Sequence, residues 1–285
     1  MNRASSGFGY VELVSTSIIW GVTYVLLKYA LSYLDPQQIA FSRFLVSSVF
    51  FIPLIFVIRE RYSRREILTL FILALTGVLL YQLLFIWGES GLTAGNASFI
   101  VSLEPIFIAI LGVMIKEDKL TPRRLTGLIV ATIGLIVLLR PTSITGDELV
   151  SAVLVLLSAL SWGIFTVAGK GLLSRHNPMN VTGFVSIFGA IMLFPFAFSG
   201  LQGLFSIRNP FLILSLLFMG FFATFLGYYL WFDGLKKVSP IRAGTTLYIT
   251  PFVTVITASY IISEPIEFIT LLGGALIIIG LIIGG

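Results

Sequence analysis

The chain has 285 residues, of which 57% are hydrophobic and only 11% charged, and its mean hydropathy is +1.04. A soluble domain carries about 25% charged residues, so this composition excludes a water-soluble globule and makes lipid the main solvent. There is no cysteine and one histidine, His176, which excludes disulfide staples, thiolate metal sites and cysteine nucleophiles, while the formal net charge of +5 belongs to basic loops between apolar runs rather than to a nucleic-acid surface.

Crossing the hydrocarbon core takes about 20 apolar residues per helix. Apolar runs over 11–33, 36–58, 67–88, 92–115 and 122–139 predict five such helices, and runs over 147–173, 179–199, 210–232, 240–262 and 266–284 predict five more. Helices are the reading because backbone polar groups in lipid must pair within their own segment. A membrane β-barrel needs short alternating segments, and these runs do not alternate. The first run follows a weakly basic start with no small-residue cleavage site behind it, so it is read as a retained helix.

The second five runs repeat the first five. Trp20-Gly21 recurs as Trp162-Gly163, Lys28 as Lys170, Asp35-Pro36 as Asn177-Pro178 and Pro53 as Pro195. Farther on, Gly77 recurs as Gly220, Pro105 as Pro251, Asp118 as Glu264, and Gly127 and Gly134 as Gly273 and Gly280. The expected units are therefore residues 1–143 and 144–285.

Charge orients them. With a cytoplasmic N-terminus, the inner segments hold Arg3, then Arg59, Arg61, Arg64 and Arg65, then Lys116, Lys119, Arg123 and Arg124, then Lys170 and Arg175, and finally Lys236, Lys237 and Arg242. The outer segments hold Lys28, Arg140 and Arg208. This bias predicts both termini in the cytoplasm. Five helices per unit is an odd number, so the second unit enters the membrane upside down. Matching loops agree: the basic loop after the second helix corresponds to one with Arg208 alone, and the uncharged loop after the third corresponds to Lys236-Lys237. Such an inverted duplication is the pattern of a secondary transporter.

The same residues carry a family resemblance. The Trp-Gly pair early in each unit, the Asp/Asn-Pro opening each second helix, the proline of each fourth helix, the acids Glu117-Asp118 and Glu264 before each last helix, and the four late glycines together resemble the ten-helix EamA-type branch of the drug/metabolite transporter superfamily. The resemblance covers almost the whole chain. It implies an all-α integral membrane transporter of small polar or amphipathic solutes, such as amino acids, nucleotide sugars or triose phosphates, often working as an exporter. It also implies that the third, fourth, eighth and ninth helices build much of the central cavity, which brings Tyr81, Gln82 and Tyr228 forward as substrate-binding candidates.

The repeat separates scaffold from chemistry. A feature present in both units serves the shared fold, and a polar group present in one lacks that explanation. Glu104 lies near the midplane of the fourth predicted helix and its counterpart is Thr250. A carboxylate there is costly unless it faces water or a partner, so it is the candidate for a substrate amine or a coupling proton, against a structural pair with a basic residue. Arg43, opposite Val185, either snorkels to the interface, pairs with Glu104 or Glu89, or meets a substrate carboxylate. Trp20 and Trp162 are either cavity walls or helix packing. Thr246, Thr250, Thr254 and Thr257 share one helical face and either line a polar passage or bond their own backbone. Asn96 completes the substrate-binding candidates. Ala94, Ser98, Ser102, Pro105, Ala109 and Gly112 form a small-residue packing stripe that turns Glu104 toward the lumen. Lys28 and Lys170 are read as snorkelling, the four span prolines as bends, and Trp87, Trp231, Tyr62 and Asp233 as interfacial anchors.

No Walker loop, dinucleotide fingerprint, zinc-protease helix or nucleophile elbow occurs, so no catalysis, cofactor or metal is expected. The expected function is secondary transport by alternating access across the cell membrane. The expected cargo is an amino acid, large or aromatic, moved outward with proton exchange at Glu104. The alternative is facilitative transport or exchange of a nucleoside or organic phosphate; a membrane-embedded enzyme or a sensor subunit ranks below both. Partners are a small-molecule substrate, the bilayer and protons, without nucleic acid, and a monomer is compatible with this reading.

Overall fold

The computed structural model describes residues 3–114, 121–139, 145–198 and 207–284. Lys116, Lys119, Glu117-Asp118, Arg140 and the expected boundary at 143/144 lie outside the described residues, as do the side chains of Arg3 and Arg124. The described residues form helices and contain no strand. They are α1 (Arg3–Ala30), α2 (Pro36–Ile58), α3 (Arg64–Ser90), α4 (Ala94–Met114) and α5 (Pro122–Leu139), then α6 (Gly146–Leu173), α7 (Pro178–Ala197) and α8 (Pro210–Lys237). The last two are α9, made of Pro240–Thr246 and Thr250–Ile261, and α10 (Phe268–Gly284). Seven of these, α1 to α4 and α6 to α8, contain stretches long and apolar enough to cross a membrane. The remaining predicted spans correspond to α5, to the interrupted α9 and to α10, whose segment Phe268–Gly280 is a shorter apolar helix.

The helix starts follow from local chemistry. At Asp35-Pro36 and Asn177-Pro178 the proline occupies a position whose N–H has no helical acceptor. Asp35 N donates to Gln38 Oε1 at 2.8 Å, and Met179 N donates to Asn177 Oδ1 at 2.9 Å. Capping boxes open α3 at Ser63 and Glu66, and α6 at Thr145 and Glu148.

Packing pairs the two units with each other. Helix α2 lies along α7 and α5 along α10, while α1 packs on α8 and α9 as α6 packs on α3 and α4. Exchanging the first five helices with the second five returns the same set of contacts. Lipid tails are as apolar as the helices, so close approach drives the association. A Cβ on Gly134 would stand 2.5 Å from Ile277 N and 2.7 Å from Gly273 O, which explains this glycine as a contact point between α5 and α10. Val253 fills the space over Gly21, and Val78 that over Gly189.

Four helices are irregular, at matching places in the two units. A π-helical segment widens α3 at Leu75–Leu80 and α8 at Met219–Leu226. Helix α4 breaks between Val101 and Glu104, and a 3-10 turn, Leu247–Ile249, splits α9. The breaks precede Pro105 and Pro251, which have no N–H to bond the preceding turn.

The paired lysines do more than reach the interface. Lys28 Nζ donates to Glu89 O at 3.1 Å, Ser90 O at 3.2 Å and Leu92 O, at the end of α3. Lys170 Nζ donates to Leu235 O at 2.5 Å, Lys236 O at 3.4 Å and Val238 O at 2.7 Å, at the end of α8. Each lysine thus supplies donors and positive charge to the carbonyl end of the third helix of its own unit. The snorkelling reading of both is corrected accordingly. Glu264, in the α9–α10 connection, accepts from Thr93 and from the N–H groups of Ala94 and Gly95. The acid before the last helix therefore caps α4.

Candidate functional site

The irregular segments surround a narrow cavity in the middle of the bundle. Trp20, Thr23 and Tyr24 enter it from α1, Arg43 from α2, and Tyr81, Gln82 and Phe85 from α3. Ser98, Val101, Ser102 and Glu104 come from α4, Trp162 from α6, Tyr228 from α8, and Leu247 and Thr250 from α9. A π-segment loosens the helical register and leaves carbonyls open to side chains. Both π-segments use this. Trp20 Nε1 donates to Ala223 O at 2.9 Å in α8, and Tyr228 OH donates to Gly77 O at 3.0 Å in α3. The widened helices are thereby fastened across the cavity, and Tyr81-Gln82 and Tyr228 follow immediately after them.

Arg43 is 3% exposed and lies in a network of neutral groups. Its Nη1 donates to Gln82 Oε1 at 3.0 Å and its Nε to Thr224 Oγ1 at 3.4 Å. Gln82 Nε2 donates to Tyr228 OH at 3.0 Å. No described carboxylate neutralises Arg43 in an ion pair, so neither snorkelling nor pairing with Glu104 or Glu89 describes it. Glu104 opens the second half of α4 and is 1% exposed. Tyr81 interacts with its carboxyl group, and Glu104 Oε1 has no partner. The cavity therefore holds a cation and a carboxyl group that do not satisfy each other.

The walls between them are aromatic. Trp20 meets Trp162 edge-on with centroids 5.2 Å apart, and Trp162 lies 4.9 Å from Tyr81 and 5.4 Å from Tyr228. Trp231 is fully buried, 5.6 Å from Trp20 and 5.7 Å from Trp162, so it belongs to this cluster and is not an interfacial anchor.

Of the substrate-binding candidates, Trp20, Arg43, Tyr81, Gln82, Glu104, Trp162, Tyr228 and Thr250 border the cavity, while Asn96 and Thr246 do not. Asn96 lines a separate vestibule with Lys28, Thr93, Glu148 and Glu264. Thr246 Oγ1 bonds Ala243 O of its own helix at 2.8 Å. Farther along the stripe, Thr254 Oγ1 bonds Thr250 O at 3.0 Å and Thr257 Oγ1 bonds Val253 O at 2.6 Å, the own-backbone alternative. Thr250 and Thr254 bond Ser17 O at 3.2 Å and Gly21 O at 3.1 Å, which ties α9 to α1. The expected packing role of Ser98 and Ser102 is also corrected, because both border the cavity beside Glu104. Continuing one helical phase through Pro105 misplaced them, since the break shifts that phase. Thr23 and Tyr24 lie three and four residues past Trp20 on the same helical face, and that spacing was the available signal for them.

Comparison with known proteins fits this architecture. The model of the EamA-like transporter family matches the chain twice, over residues 7–140 and 149–284. An uncharacterized transporter of Archaeoglobus fulgidus is 31% identical, covering 96% of this chain and 97% of the relative. A probable amino-acid metabolite efflux pump of Salmonella typhimurium is 28% identical, covering 96% of this chain and 93% of the relative. A protein of known crystal structure superposes with a TM-score of 0.73 at 16% identity, covering 100% of this chain and 99% of that one, a likeness of fold.

Proposed function

Because the chain belongs to the EamA-like transporter family, we propose that it exports amino acids, preferentially large apolar or aromatic ones, as a secondary transporter of the cell membrane. In this reading all ten helices cross the bilayer, residues 1–143 and 144–285 are inverted units, and both termini are cytoplasmic. The two units rock about the cavity and expose it alternately to each side. The observation that carries the substrate class is the pair of Arg43 and Glu104, buried in one aromatic-walled cavity and unpaired with each other. An amino-acid zwitterion brings the complementary set. Its carboxylate suits the forked guanidinium, its ammonium suits Glu104, and an apolar side chain suits the Trp and Tyr faces. The name of the Salmonella relative, an amino-acid metabolite efflux pump, supports the same class. Organic phosphates fit less well, since Arg43 is the one cation among the described residues lining the cavity.

Glu104 is also the candidate coupling group. A buried carboxyl group that loses its ammonium partner when substrate leaves is favoured to take up a proton, which links release to proton entry. Export from proteoliposomes with and without a pH gradient tests this. Glu104→Gln is expected to lower amino-acid flux about 10- to 100-fold, the worth of a charged hydrogen bond, and to remove the response to the gradient. Wild-type flux with unchanged gradient dependence overturns the role of Glu104.

A further inference from the structure

Away from the cavity, one polar cluster joins the two units and has no part in the transport reading. It lies where the α2–α3 connection meets the α6–α7 connection. Nδ1 of His176 is 3.1 Å from Glu60 Oε2, and Nε2 is 3.1 Å from Glu66 Oε1. Tyr62 stacks on the imidazole with centroids 4.2 Å apart.

Both carboxylates are committed as acceptors. Glu60 Oε1 accepts Asn177 N at 2.9 Å, and Glu60 Oε2 accepts Tyr62 OH at 3.1 Å. Glu66 Oε2 accepts Ser63 N at 2.8 Å and Ser63 Oγ at 2.7 Å. The other charged groups facing the ring are Lys236 of α8, whose Nζ donates to His176 O at 3.0 Å, and Arg175, 4.0 Å from Glu66. From α7, Asn180 Oδ1 accepts Tyr62 OH at 2.8 Å.

A neutral imidazole has one N–H and one lone pair, so it serves one of these carboxylates and turns a lone pair toward the other. An imidazolium donates to both. The carboxylates stand at opposite edges of the ring and do not share a metal ion, and no metal-ligating group of three is found among the described residues.

We propose that His176 is a proton-binding site that latches the two units together at this end of the bundle. A proton taken from bulk water completes the Glu60–His176–Glu66 bridge, and its return to water removes one of the two hydrogen bonds. The imidazolium donates to both carboxylates and the neutral ring to one of them, so the latch holds at lower pH and releases as pH rises. By the charge bias of the loops this is the cytoplasmic end, and acid on that side keeps it shut. The latch does not depend on the substrate or on Glu104, so its test and that of the transport reading fail separately.

The chain has no cysteine, so Arg61→Cys with Ser174→Cys, two exposed positions on the facing connections, adds a unique pair of thiols. Spin labels there report the gap by pulsed EPR in lipid nanodiscs at about pH 6 and about pH 9, on either side of the ordinary imidazole range. The expected result is a short-distance population that falls by about half or more at the higher pH. In the His176→Gln background the distance distribution is expected not to respond to pH. In the Glu66→Gln background a neutral ring donates to Glu60 and accepts from the new amide, so the short population persists at both values. A wild-type distribution that does not move, an equal shift in His176→Gln, or a Glu66→Gln protein that opens like wild type overturns the proposal.

Discussion

Helices α4 and α9 break at matching places, each just before a proline, yet they present different chemistry at the break. In α4 the second half begins with Glu104, which borders the cavity with Oε1 unpartnered. In α9 the equivalent residue is Thr250, whose hydroxyl is tied to Ser17 O at 3.2 Å. The lysines show the opposite case. Lys28 and Lys170 make the same contacts, each on the carbonyl end of a third helix. Positions that serve the backbone stayed alike in both units, because both copies of a helix end need the same donors. Among the positions that face the cavity, Trp20 and Trp162 stayed alike while the charged ones diverged, and in the proposed reading this is because one substrate needs one carboxylate and one guanidinium, placed once.

That contrast is open to direct attack. The largest expected effect is at Arg43, whose unit counterpart Val185 is apolar. Arg43→Gln should lower amino-acid flux about 10- to 100-fold with little change in thermal unfolding. Arg43→Lys should restore little of it, since a point charge does not span the fork that now meets Gln82 and Thr224. Wild-type flux in Arg43→Gln would remove the guanidinium from the site. An intermediate effect is expected at the lysines. Lys28→Met and Lys170→Met should each destabilise the protein by about 1 kcal/mol and to a similar degree, as read by thermal unfolding in detergent. One large effect beside a null one would show that the two caps are not equivalent. The smallest belongs to Thr246→Val. Its hydroxyl bonds only its own helix, so stability should change by less than about 0.5 kcal/mol and flux should hold.

Much of the fold was legible in the residues. Prolines, Asx-Pro helix starts and small-residue contacts act locally, and the repeat printed each of them twice. Charge asymmetry marked Arg43 and Glu104 because a lone ionisable group inside an apolar run has no local explanation. Asn96 and Thr246 lie outside the cavity and Trp231 inside its aromatic cluster for one reason: a hydroxyl, an amide or an indole has several possible partners, and only the neighbouring helix decides which is met. Trp231 lies near the end of a predicted span, where an anchor is the ordinary reading, yet it packs against Trp20 and Trp162. The phase shift at Pro105, which moved Ser98 and Ser102 to the cavity, was likewise invisible to a continuous helical wheel.

The sequence by itself determined that the chain is a helical membrane protein made of two related halves, because apolar length, repeat spacing and loop charge are properties of the chain taken one segment at a time. The tertiary structure alone decided that Lys28 and Lys170 cap the third helix of their own units, that Arg43 is held by neutral groups, and that His176 stands between two carboxylates. Each of these depends on which side chains from distant segments meet, and in a bundle held by close contact in lipid that choice belongs to helix packing.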